Sequence, residues 1–186
     1  MTKPTKATAA GRAYLSLQRE ARAAGRTTAE YLRLYALEGF LLRLSHSQHR
    51  NRFVLKGGVL LAAYEMRRPT ADIDLTAVHT RNEVGEVRQL VVDVAAASLP
   101  ARLEDGLEFD LRNVTAETIR DQDVYSGIRV RMLARLASAR EPFHADVSVG
   151  DPIQARPIRR PRRRALRLHR DRPAKVGSMA QQAIAH

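Results

Sequence analysis

Residues 53–77 read FVLKGGVLLAAYEMRRPTADIDLTA, and the order of apolar runs, glycines and acids in this stretch decides the fold. Phe53, Val54 and Leu55 form a short apolar run that stops at Lys56-Gly57-Gly58. Val59 to Ala63 with Met66 then reads as a helix, which Pro69 ends because proline disfavours helical geometry in the residue before it. From Ala71 to Ala77 the side chains alternate, with Asp72, Asp74 and Thr76 on one face and Ala71, Ile73, Leu75 and Ala77 on the other, the pattern of a strand. The result is a strand, a helix opened by two glycines, and a strand.

Upstream, Tyr14, Leu15, Leu17 and Ala21 fall at helical spacing until Gly25 interrupts them. Thr27 or Thr28 then offers an N-cap to a five-turn helix carrying Tyr31, Leu34, Leu37, Phe40, Leu41 and Leu44. Residues 1–10 have no period and read as a flexible start. Downstream, a helix is expected over 82–98, followed by strands over 108–114, 127–136 and 143–149, with turns at Asp121-Gln122-Asp123 and Glu141-Pro142. Helices first and a β-meander last predict an α+β domain over 11–153, its mixed sheet flanked by helices, and not a doubly wound parallel sheet. From 154 to 186 arginine, proline and alanine dominate without a period, which predicts a disordered basic tail.

The chain has 186 residues, 44% of them hydrophobic, enough for one domain with a core and a cleft. The absence of cysteine excludes thiol catalysis and cysteine-ligated zinc. The longest apolar stretch, Val59 to Tyr64, is far short of the ~20 residues that span a bilayer, so the expectation is a soluble, cytoplasmic protein. The formal charge is +12, but residues 154–186 carry ten basic residues against Asp171 alone, a net +9. Such a segment attracts any polyanion by counterion release.

Two carboxylates at i and i+2 of a strand share a face with backbones about 7 Å apart, so the tips of Asp72 and Asp74 can converge on a hard cation such as Mg2+. Two glycines opening a helix let a phosphate approach backbone N–H groups, and the helix dipole favours its charge. With Asp146 as a third carboxylate, the pattern describes a nucleoside triphosphate held by backbone at one end and by metal at the other, as nucleotidyl transfer requires. By alternation His144 shares the face of Asp146. His46 and His49, one turn apart, read as helix-end residues rather than ligands.

The hexapeptide FVLKGG at 53–58, the octapeptide RPTADIDL at 68–75 and the approach LLRLSHSQHRNRFVLKGG at 41–58 resemble the signature of the AbiEii-type nucleotidyltransferase toxins, including the mycobacterial MenT group, within the polymerase-β-like superfamily. The resemblance runs from about Tyr14 to Ile153. It implies a toxin of a toxin–antitoxin or phage-defence system that transfers a nucleotide from an NTP to RNA, often to the 3′ end of tRNA, with a cognate antitoxin as partner. It also implies residue roles. Gly57 and Gly58 would cradle the triphosphate, Asp72 and Asp74 would bind magnesium, and Asp146 would complete the metal site or act as base. Lys56, Arg68 and Thr70 would lie near the phosphates. After the third strand the sequence departs from the family pattern, lacking its A-E-K helix and Arg-x-x-Asp segment. The tail instead resembles GC-rich DNA translated in a shifted frame. The expectation is a truncated or frameshifted toxin with a weakened grip on triphosphate. The alternative is a catalytically inactive remnant that binds nucleic acid through its tail.

Overall fold

The computed structural model describes residues 4–56, 72–120 and 126–149. The helix expected from Val59, the turn at Asp121-Gln122-Asp123 and the basic tail lie outside the described residues.

Helix α1 spans Ala9–Ala23 and α2 spans Thr28–His46. The first starts inside the segment expected to be loose, because Thr8 Oγ1 accepts from Gly11 N–H at 3.0 Å and caps it. Gly25, at φ 65°, ends it, with Arg26 N–H donating to Ala21 C=O and Gly25 N–H to Arg22 C=O. Thr27 Oγ1 caps α2 by accepting from Glu30 N–H at 3.2 Å. Strands β1 (Phe53–Lys56) and β2 (Asp72–Ala77) precede α3 (Val84–Ala95). Then come β3 (Glu108–Phe109), β4 (Thr115–Arg120), β5 (Ser126–Leu136) and β6 (Ala139–Val149).

The strands form one mixed sheet in the order β1-β2-β6-β5-β3, with β4 also on β5. Of the described pairs, β2 with β6 is parallel and the others are antiparallel.

Two sequence expectations are corrected. The strand expected over 108–114 stops at Phe109, because the Asp110 carboxylate accepts from Arg112 N–H and Asn113 Nδ2 and bends the chain into a 3₁₀ turn over Leu111–Asn113. Pairing resumes in β4, whose polar sequence TAETIR gives little strand signal. The turn expected at Glu141-Pro142 lies instead at residues 137–138, where Ala137 adopts φ 52°. Pro142 sits inside β6 opposite Leu133. Leu133 C=O faces the other way, accepting from Asp110 N–H at 2.8 Å, so the Leu133–Pro142 pair is non-hydrogen-bonded and the missing proline donor costs that ladder nothing.

One face of the sheet makes the core. Ile73, Leu75, Ile128, Val130, Ala145 and Val147 pack with Leu17 of α1, Leu37, Phe40 and Leu41 of α2, and Val87, Val91 and Val94 of α3. Phe40, Phe109 and Phe143 meet edge to face with centroids 5.7 to 6.2 Å apart. No helix among the described residues is long and apolar enough to cross a membrane.

Two buried charges fix α2. Arg43 forks onto Asp105 at 2.6 and 3.1 Å, donates to the carbonyls of Gly39 and Leu107, and lies over the ring of Phe109. The side chains of the pair keep only 10% and 5% of their exposure. Removing one partner strands the other charge in the interior, so Arg43→Ala is expected to cost about 3–5 kcal/mol in urea unfolding. Glu38, on the same helix, has a buried Oε2 without a hydrogen-bond partner among the described residues. Burial, with the Glu20 charge adding to it, pushes its carboxyl from 4.5 up to about 8. The folded state therefore holds a proton there that the unfolded chain releases, and stability should fall by up to about 1.4 kcal/mol per pH unit as pH rises through that window. Glu38→Gln should flatten this slope in urea midpoints compared between about pH 5 and about pH 8.

Candidate active site

Helices cover one face of the sheet, so the alternate residues of β2, β5 and β6 line the other. Register decides which of them meet. Asp74 pairs with Lys56 of β1 and with Asp146 of β6, Asp146 pairs with Arg129 of β5, and Arg129 pairs with Glu117 of β4. One row of charged residues thus crosses five strands. Beside it, Asp72 pairs with His144, and His144 with Arg131.

At the centre, Asp72, His144 and Asp146 each offer a ligand atom, all within 4.8 Å of one another and half-buried. His144 Nε2 lies 3.7 Å from Asp72 Oδ2. Arg129 donates Nε to Asp146 Oδ1 at 2.7 Å and Nη2 to Oδ2 at 2.6 Å. That hydrogen bonding, with the charges of Asp146, Asp72 and Glu117, holds the Arg129 guanidinium above its usual range. One residue pair further along, Lys56 Nζ donates to Ser148 Oγ at 3.1 Å, and Ser148 lies 3.2 Å from the buried hydroxyl of Thr76. The ammonium is thereby anchored on the carboxylate-bearing face.

The donor set fits a divalent cation. The carboxylates of Asp72 and Asp146 present hard oxygens within reach of one ion, with Asp74 on the same face of β2. The imidazole of His144 adds a nitrogen donor, which suits manganese or zinc better than magnesium.

Of the residues expected from sequence, Asp72, Asp74, Asp146 and Lys56 come together on this face. Gly57, Gly58, Arg68 and Thr70 lie outside the described residues. Sequence reading missed Arg129 and Ser148. Alternation along residues 126–136 puts Arg129 and Arg131 opposite the apolar Ile128, Val130 and Met132. It gives no hint of register, which alone makes Asp146 the partner of Arg129.

The family described as "Nucleotidyl transferase AbiEii toxin, Type IV TA system" matches residues 39–177. The chain belongs to the AbiEii nucleotidyltransferase toxin family. The AbiEii match begins within α2, takes in the whole carboxylate cluster, and continues beyond Ile153 through the basic residues up to Lys175. Among solved structures, JHP933 from Helicobacter pylori is similar at 16% identity and TM-score 0.42, over 69% of this chain and 47% of that one. A candidate nucleotidyltransferase from H. pylori is similar at 17% identity and TM-score 0.34, over 61% of this chain and 41% of that one. The chain spans less than half the length of either. No curated protein matches it.

Proposed function

We propose that the chain is a metal-dependent nucleotidyltransferase toxin that transfers a nucleotide from an NTP to RNA, at the 3′ end of tRNA, and that a cognate antitoxin restrains it. The observation that carries this reading is the parallel register of β2 with β6, which sets Asp74 beside Asp146 and brings Asp72 and Asp146 within reach of one cation. Asp72, Asp74 and Asp146 would hold the Mg2+ ion. When bound, Mg2+ would supply charge neutralisation at the transferring phosphoryl group and at the leaving pyrophosphate. The chain's own residues orient the substrate. Lys56, at the end of β1, pairs with phosphate oxygens, and the Gly57-Gly58 backbone N–H groups, Arg68 and Thr70 complete the grip. An acceptor that is tRNA places the reaction in the cytoplasm.

The net +9 charge of residues 154–186 favours a second reading, in which nucleic acid is bound through the tail without catalysis. The two readings separate in one experiment, in which the full chain is incubated with each labelled NTP, total tRNA and Mg2+. Asp72→Asn and Asp74→Asn should each lower incorporation by about 100-fold or more, since each removes an anionic ligand of the cation that would neutralise the transferring phosphate. Incorporation unchanged in both variants would overturn the assignment. RNA binding that weakens with salt, depends on 154–186 and ignores both aspartates would support the second reading.

A further inference from the structure

The pocket already holds a cation of the protein's own. Arg129 reaches Asp146 with two donors, one to each carboxylate oxygen, at 2.7 and 2.6 Å. A planar fork of this kind fixes both the rotation and the tilt of a carboxylate, which a single donor cannot do. An ionised carboxylate has about four lone-pair sites, so one on each oxygen remains after the fork has formed. One of those oxygens sits in the group whose ligand atoms, with Asp72 and His144, fall within 4.8 Å of one another. Arg129 also feels the charge of Asp72, so it offsets the mutual repulsion of acids gathered on one face.

We propose that Arg129 is a positioning residue of the cation pocket: it orients Asp146 and neutralises part of the acidic cluster, so that Asp146 presents its remaining lone pairs to an ion shared with Asp72. The proposal rests on the reading of Asp72 as a cation ligand. It assigns Asp146 to the metal rather than to proton transfer. A purely structural role is a poor account of the pair. The β5–β6 hairpin is already in register from Gly127 opposite Ser148 to Leu136 opposite Ala139, and the Arg129 side chain keeps 29% of its exposure.

The test uses the full chain and Mn2+ alone, followed by the loss of the free-ion EPR signal, with thermal unfolding of each variant measured in parallel. Arg129→Gln should weaken Mn2+ binding by about 10- to 100-fold, the range found when a residue that orients a metal ligand is removed, with the melting temperature nearly unchanged. Arg129→Lys keeps the charge and loses the fork, and should fall between that variant and the unmodified protein. Mn2+ binding in Arg129→Gln that is unchanged or tighter would overturn the proposal, the tighter result marking Arg129 as a plug. If Arg129→Gln fails to fold, Arg129→Lys decides: weakened binding supports positioning, and unmodified binding overturns it. Asp72→Asn is the control for the underlying reading. If it binds Mn2+ like the unmodified protein, the cluster is not a cation site and the proposed function fails for a separate reason.

Discussion

Like charges can share one face of a sheet only where something opposes their repulsion, and the parallel pairing of β2 with β6 creates that condition here. It sets Asp74 beside Asp146 and Asp72 beside His144. Neighbouring strands lie about 4.8 Å apart, so the carboxylates are crowded by the backbone ladder itself and cannot separate without breaking it. The protein meets the crowding from the two flanking strands, with Lys56 opposite Asp74 on β1 and Arg129 opposite Asp146 on β5. A divalent cation bound between them would complete the same balance.

The rest of the fold serves to hold that pairing. β2 and β6 are distant in sequence, and joining them in parallel requires a crossover, which α3 and the β4–β5 pair supply. The core face shows why the pairing is stable. Ile73, Leu75, Ala145 and Val147 alternate with the acids and are buried under α2 and α3, so sliding either strand by one residue would exchange core for carboxylates. The Arg43–Asp105 fork ties α2 to the segment leading into β3, and so fixes the helix layer over the sheet.

Much of this was legible in the chain. A cap at Thr27 or Thr28, Gly25 as a stop, and the alternation of 71–77 are local signals, written by residues close in sequence, and each corresponds to an element found in the fold, with Thr27 the cap and the strand over Asp72–Ala77. The misplaced features are equally physical. Asp110 bends the chain through its own side chain, a choice that a β-like pattern over 108–114 hides. The hairpin at 137–138 carries neither Gly nor Asn, while Pro142 advertises a turn it does not make, because its position in the ladder needs no donor.

The amino-acid sequence by itself determined which residues share a face, since side-chain alternation is a property of a single strand. It therefore yielded the Asp72–Asp74 pair, the face of Asp146 and the family resemblance. Only the tertiary structure decided which faces meet across the sheet. Arg129 as the partner of Asp146, Lys56 anchored on Ser148, and His144 within the acidic cluster all follow from strand order and register. Those are set by how the apolar faces pack beneath the helices, through contacts between residues far apart in the chain, and no local pattern encodes them.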